Sequence, residues 1–145
     1  MILTVDILVT IAQKDVLLIR RAKHPFEDRL VMPGGHVEDG EELCEAAARE
    51  LEEETRLTVS SKDLSPLLIL DAIDRDPRPG RRVSHVFWID LLDRTLVETC
   101  RAESDAREIV IRSIDSLVES EIGFDHWLAL EKMKEEIAHE SARVS

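Results

Sequence analysis

Residues 35–57 read GHVEDGEELCEAAARELEEETRL, and this stretch decides the fold of the chain. Leu43, Ala47 and Leu51 recur at a spacing of four residues, which predicts an amphipathic helix with one buried stripe. The residues just before it, Pro33-Gly34-Gly35, form a strong break in any regular element. The sequence therefore predicts a tight loop that leads into a long helix.

The start of this helix carries a recognisable capping pattern. Asp39 is a good N-cap residue, and Glu42 three positions later completes a pattern that resembles a capping box. We therefore predict that the helix extends over about residues 40–55.

Three acidic side chains lie together on this helix. Glu50 and Glu54 are four residues apart, and Glu53 is three residues from Glu50, so all three project from neighbouring positions. Such an oxygen-rich patch is what a hard divalent cation requires. The alternative is a solvated acidic face, because like charges at this spacing cost a helix only ~0.2–0.5 kcal/mol per pair. The helix alone leaves both interpretations open.

The rest of the chain alternates strands with one more helix. Residues 2–12 and 16–19 are apolar and β-branched around a short turn, which predicts a hairpin inside a sheet. We predict further strands over residues 67–73, 83–92 and 108–112, and a second helix over residues 125–139. Strands mixed with two main helices favour an α/β fold with the sheet between the helices, in a single domain over residues 1–145.

Composition narrows the classes of function. The chain has 145 residues, is 43% hydrophobic and 34% charged, and has a formal net charge of −12. This charge argues against binding to nucleic acid or to an anionic membrane surface, and a polyanionic substrate would need a local reversal of the field. Cys44 and Cys100 fit no zinc or redox spacing, and no run reaches the ~20 apolar residues of a membrane span. We expect a cytoplasmic protein with reduced thiols.

The helical segment resembles the signature of the Nudix hydrolase family. That signature has fixed glycine, glutamate, arginine and apolar positions over 23 residues, and eight of its nine fixed positions are matched here. The matching residues are Gly35, Glu41, Arg49, Glu50, Leu51, Glu53, Glu54 and Leu57. The resemblance implies an α/β/α sandwich with a mixed β-sheet, magnesium-dependent hydrolysis in which manganese can substitute, and a homodimer.

The resemblance also implies roles for individual residues. Glu50, Glu53 and Glu54, with the backbone carbonyl of Gly34, would ligate the metal. Arg49 and Glu41 are implied to pair and hold the loop against the helix, which would keep the carboxylates aimed at the metal.

Arg56 is the one departure from the signature, which usually has glycine there. Glycine is favoured after a helix because it tolerates positive φ, where a side chain costs on the order of 1 kcal/mol. We predict either a strained left-handed Arg56 or a helix that ends differently.

Three shorter stretches resemble the ADP-ribose pyrophosphatase branch of that family: residues 20–26, 74–78 and 124–126. This implies hydrolysis of ADP-ribose to AMP and ribose 5-phosphate. Guanidinium groups in these stretches suit phosphate, carboxylates suit ribose hydroxyls, and an aromatic ring suits adenine. A solvated connecting loop is the alternative for residues 74–78. The candidate substrate-binding residues are Arg20, Phe26, Arg75, Asp76 and Arg78.

Several alternatives stay open at this point. The general base that activates water is one of Glu50, Glu103, Asp105 and Glu108. His36 follows the glycines and is expected to be a surface imidazole rather than a substrate contact. The substrate could instead be a nucleoside triphosphate, another dinucleotide or a nucleotide sugar. A non-catalytic ADP-ribose sensor is less favoured, because it would not need all three glutamates and 145 residues leave no room for an output module.

Overall fold

The structure is a computed structural model that describes residues 1–103 and 106–144. Within them lie seven strands and two α-helices. In chain order these are β1 (Ile2–Ile11), β2 (Asp15–Arg21), β3 (Leu30–Val31), β4 (Gly34–His36), α1 (Leu43–Thr55), β5 (Ser65–Leu70), β6 (Arg82–Leu91), β7 (Ala106–Ser113) and α2 (Trp127–Val144).

The strands form one mixed sheet with β1 near its centre. Strand β1 pairs in parallel with β6 along its whole length, and antiparallel with both β2 and β4. Strands β3 and β7 pair antiparallel with β2, and β5 pairs antiparallel with β6. The predicted hairpin is confirmed, with Val9 opposite Leu17 and Ile11 opposite Asp15.

The two helices cover opposite faces of this sheet. Because side chains alternate along a strand, Val5, Ile7 and Val9 of β1 pack on the α1 side, against a cluster that includes Leu51. Leu8 packs on the other side, in a cluster with residues of α2. The predicted α/β/α sandwich is confirmed.

The start of α1 differs from the sequence-based prediction. Asp39 is not the N-cap; the helix begins at Leu43, with Glu42 as its N-cap. The Glu42 N–H donates to the Glu45 carboxylate at 3.2 Å, so the capping pair lies three residues further along the chain than predicted. Gly40 has a φ of +80°, which keeps it in the preceding turn.

The end of α1 follows the strained alternative. Arg56 has φ 65° and ψ 9°, in the left-handed region, and its N–H donates to the Glu52 carbonyl at 2.8 Å. The last carbonyls of the helix are also satisfied. The N–H of Arg101 donates to the Thr55 carbonyl, and that of Glu103 to the Glu54 carbonyl, both at 2.9 Å.

The remaining elements differ from prediction mainly at their ends. Strand β5 ends at Leu70 rather than Ile73, and α2 begins at Trp127. Cys44 and Cys100 are free thiols that pack against the cluster on the α1 side. Among the described residues, no helix is both long enough and apolar enough to cross a membrane.

Candidate active site

A cavity of about 330 Å³ opens where β4 meets the first half of β1. Its lining comes from β1, β2, β3, β4 and α1, from the loop between β5 and β6 and the start of β6, and from the residues just before α2. Sequence segments far apart in the chain are therefore brought together at one end of the sheet.

The two glycines of β4 make room for acidic side chains in this cavity. A Cβ on Gly34 would lie 2.2 Å from Oδ1 of Asp6, and one on Gly35 would lie 2.5 Å from the carboxyl carbon of Glu50. Successive strand residues face opposite sides of a sheet, so Asp6 and Glu50 approach β4 from its two faces. Any side chain at either glycine would displace one of these carboxylates.

Glu50 and Glu54 form an acidic wall of the cavity. Glu54 is buried and accepts a hydrogen bond from the Gly34 N–H at 3.2 Å. Burial raises the pKa of the Glu50 carboxyl, and the hydrogen bond from Arg49 only partly offsets this effect. Glu53 is 51% exposed and is not among the described residues that line the cavity.

Arg49 organises the acidic residues around α1. Its guanidinium donates twice to Glu41, at 2.7 and 3.0 Å, which is the pairing that the sequence suggested. It also donates to Glu50 at 3.0 Å, to Glu53 at 3.2 Å and to the His36 carbonyl at 3.0 Å. The hydrogen bonds that Glu41 accepts from Arg49 and from the Glu38 N–H lower its pKa to about 2, so Glu41 remains ionised near neutral pH.

The donors on this side suit a hard divalent cation. Glu50, Glu54 and Gly34 line the same cavity, and partial burial raises the pKa of Glu50 more than the charge of Arg49 lowers it. In residues 1–103 and 106–144, however, no three His, Cys, Asp or Glu side chains are close enough together to hold an ion. Glu53 is instead held by Arg49.

A cationic wall also lines the cavity. It consists of Arg21, Lys23, Arg75, Arg78 and Arg82. The Arg75 side chain is 4% exposed and is fixed by two hydrogen bonds to Asp125, at 3.0 and 2.9 Å. Asp76 is fully engaged by its neighbours, because it accepts from the Arg78 guanidinium at 2.7 and 3.0 Å and is 3% exposed.

Phe124 is the aromatic residue on the cavity wall. The guanidinium groups of Arg21 and Arg78 lie 5.1 and 5.6 Å from its ring centroid. Phe26, the aromatic candidate from the sequence, packs against Phe124 with 4.7 Å between centroids. It therefore supports the ring that lines the cavity and is not itself among the described lining residues.

Arg20 is likewise not among the described residues that line the cavity. Its guanidinium pairs with Glu108 on the neighbouring strand and donates to the Asp28 carbonyl at 2.9 Å. Two basic residues of this stretch line the cavity, Arg21 and Lys23. Arg21 lies one position after Arg20, and successive strand residues face opposite sides of the sheet.

A buried polar group at the floor of the cavity was missed by the sequence analysis. The Nδ1 atom of His126 accepts from the Met32 N–H at 3.0 Å, and its Nε2 atom lies 3.6 Å from Oδ2 of Asp6. The Ser84 hydroxyl donates to the same Oδ2 at 2.5 Å. Burial raises the pKa of Asp6 to about 7 and lowers that of His126 to about 3. The sequence signal that could have indicated this group is Asp6, an acidic residue inside the mostly apolar strand β1.

The candidates for the general base separate by position. Glu50 lines the cavity. Glu103 forms an ion pair with Arg56 at 2.6 Å, and Glu108 is paired with Arg20 on the strand surface. Asp105 lies outside the described residues. His36 is exposed and also lines the cavity.

Comparison with known proteins gives one family. The NUDIX domain model matches residues 2–143. An ADP-ribose pyrophosphatase of Methanocaldococcus jannaschii is 39% identical over 118 residues, which are 80% of this chain and 64% of that protein.

Solved structures give the same result. A MutT/nudix family protein of Enterococcus faecalis superposes with a TM-score of 0.81 at 25% identity, over 95% of this chain and 62% of that one. A bifunctional NMN adenylyltransferase/ADP ribose pyrophosphatase of Francisella tularensis, complexed with AMP and a manganese ion, has a TM-score of 0.80 at 29% identity. It is matched over 93% of this chain and 41% of its own. The chain thus spans less than two thirds of each of these three relatives.

Proposed function

Because this chain belongs to the NUDIX family, we propose that it hydrolyses the pyrophosphate bond of a nucleoside diphosphate linked to a second moiety, with ADP-ribose as substrate and AMP and ribose 5-phosphate as products. The relative from M. jannaschii, an ADP-ribose pyrophosphatase, supports this choice of substrate.

One observation carries the proposal, namely the division of charge inside the cavity. Glu50 and Glu54 line the cavity, and so do the five basic side chains of the cationic wall. The chain as a whole has a net charge of −12, so this wall is the local reversal of the field that a polyanionic substrate needs. A diphosphate would lie between the two walls, with its oxygens toward the guanidinium groups.

The acidic wall is where we place a divalent metal. Glu50, Glu54 and the Gly34 carbonyl would hold it, and Glu53 would join them by leaving Arg49. A bound Mg²⁺ or Mn²⁺ supplies charge neutralisation for the diphosphate and lowers the pKa of a coordinated water. The Arg49–Glu41 pair would keep α1 and the loop before it in position.

The remaining roles follow from position in the cavity. Glu50 is the base candidate that we favour, since among the candidates within the described residues it alone lines the cavity. Phe124 offers a ring face to the adenine, with Phe26 packed behind it. Arg75 and Arg78 would bind phosphate, and Asp76 would hold Arg78 in place.

A substrate panel tests this function. ADP-ribose, nucleoside triphosphates, dinucleotides and nucleotide sugars are incubated with Mg²⁺ or Mn²⁺, and AMP, phosphate and pyrophosphate are measured. We expect AMP from ADP-ribose as the dominant product. Preferential cleavage of a nucleoside triphosphate would make that compound the substrate in place of ADP-ribose. Tight binding of ADP-ribose without any product would make the chain a sensor.

Matched variants test the metal site. Glu53→Gln should abolish turnover with little loss of stability, because Glu53 is half exposed. Glu52→Gln, on the exposed side of the same helix, should retain the wild-type rate. A near-normal rate in Glu53→Gln and in Glu54→Gln would remove the assigned metal site, as would the absence of manganese at these carboxylates in soaked crystals.

A further inference from the structure

We propose that His126 and Asp6 together form a subsite for one sugar hydroxyl of the substrate. The proposal rests on the proposed function, since it concerns the ribose units of an ADP-ribose-like ligand. Both residues line the cavity, and both lie on the α2 side of the sheet, across β4 from Glu50.

Local hydrogen bonds fix which nitrogen of His126 carries the proton. Nδ1 accepts from the buried Met32 N–H at 3.0 Å, so it cannot be protonated itself. A neutral imidazole must then carry its hydrogen on Nε2. The imidazole is neutral because burial and the nearby charges of Arg75 and Arg21 disfavour the cation. His126 therefore presents a fixed N–H donor beside Asp6.

The two polar atoms are close enough together to share one hydroxyl group that lies beside them. Nε2 of His126 and Oδ2 of Asp6 are 3.6 Å apart, which is too far for a direct hydrogen bond. One oxygen atom placed about 2.8 Å from each would bridge them. A hydroxyl both donates and accepts, so it can accept from Nε2–H and donate to the carboxylate. Ser84 donates to the same Oδ2 and keeps it from rotating away.

The other acidic residues of this region are already engaged. Asp76, which the sequence suggested for ribose hydroxyls, accepts two hydrogen bonds from the Arg78 guanidinium. Asp125 accepts two from Arg75. Asp6 differs, since the Ser84 hydroxyl is its one hydrogen-bond donor among the side chains that the structure describes.

Two isosteric variants separate this role from a structural one. His126→Asn places an amide oxygen near the position of Nδ1, so it can keep the bond from Met32 but loses the donor at Nε2. His126→Gln places an amide N–H near the position of Nε2 but loses the acceptor for Met32. His139→Asn, on the exposed end of α2, is the matched control.

The assay compares ADP-ribose with analogues that each lack one ribose hydroxyl. Dissociation constants are measured by calorimetry without divalent metal, and kcat/KM with Mg²⁺. For wild-type protein we expect one analogue to bind about tenfold or more weakly than ADP-ribose and to show a similarly lower kcat/KM, because the missing hydroxyl leaves Nε2–H and Asp6 unpaired. The ratio of the two dissociation constants, analogue over ADP-ribose, measures this effect. His126→Asn should reduce this ratio toward one, whereas His126→Gln and His139→Asn should retain most of it.

Each outcome decides the proposal. Equal binding of all analogues by the wild type, no binding of ADP-ribose, or an unchanged ratio in His126→Asn overturns it. A ratio lost in His126→Gln but kept in His126→Asn would show that the bond to Met32 is the role of His126. The proposed function is tested separately. Absence of AMP release would overturn the function, whereas dependence of binding on one hydroxyl is measured without turnover.

Discussion

Arg56 and Glu103 form an ion pair of 2.6 Å across the C-terminal end of α1. The same two segments are joined by backbone hydrogen bonds from Arg101 to Thr55 and from Glu103 to Glu54. The residue in the left-handed position after the helix therefore contacts the segment that leads into β7. The side chain that strains this position also makes an interaction that glycine could not make.

Arg56→Gly should change the free energy of unfolding only slightly, with a net gain of up to about 1 kcal/mol. Relief of the left-handed strain contributes on the order of 1 kcal/mol, and loss of a half-exposed ion pair opposes it by roughly 0.2–1 kcal/mol. Glu103→Gln removes the ion pair alone and should lower stability slightly. Urea unfolding of both variants measures the two effects, and a loss above about 1 kcal/mol in Arg56→Gly would show that the pair outweighs the strain.

Gly35→Ala should reduce kcat/KM at least about a hundredfold, because its Cβ would occupy the space of the Glu50 carboxylate. Gly40→Ala is the matched control. Its Cβ meets nothing within 4 Å, but its φ of +80° makes alanine cost about 1 kcal/mol of stability. Kinetics and urea unfolding of both variants test this. Retained activity in Gly35→Ala would mean that Glu50 can move without consequence.

The sequence predicted most of the fold because its signals are local. The spacing of Leu43, Ala47 and Leu51 defined α1, and alternation and turn residues defined the β1–β2 hairpin. The N-cap was wrong because Asp39 and Glu42 both fit the pattern, and only the φ of Gly40 decides between them. Sequence patterns alone do not fix which of two nearby residues is the N-cap of a helix.

The site was predicted less completely than the fold. Glu50 and Glu54 were predicted because they lie on one helix, and both line the cavity. Asp6, Ser84 and His126 were missed because β1, β6 and the segment before α2 meet only in the folded sheet. The sequence analysis chose Arg20, whereas Arg21 lines the cavity. Choosing Arg21 would have required knowing which face of β2 turns to the cavity, and a one-residue shift reverses that face.

His126 should make the protein less stable as the pH falls. Its pKa is about 3 in the folded state, against an ordinary value of 6.5, because it is buried and lies near Arg75 and Arg21, with Asp76 as the opposing charge. Its contribution is therefore complete above pH 6.5 and is lost as the pH falls from 6.5 through 3. The slope is at most about 1.4 kcal/mol per pH unit. The difference in unfolding free energy between wild type and His126→Asn should shrink over this range. A constant difference for His126→Asn would contradict the prediction.

Added Mg²⁺ should raise the melting temperature of the wild-type protein, since a cation that binds only the folded state stabilises it in proportion to RT ln(1 + [Mg²⁺]/Kd). Glu50→Gln should remove most of this increase, because it replaces a half-buried carboxylate of the acidic wall by a neutral amide. Without metal the same variant should melt no lower than wild type by more than a few degrees, since burial already disfavours the ionised form of Glu50. Glu52→Gln should keep the full response to Mg²⁺. Scanning calorimetry at several Mg²⁺ concentrations measures these shifts, and an equal response in Glu50→Gln and Glu52→Gln would place the cation away from this wall.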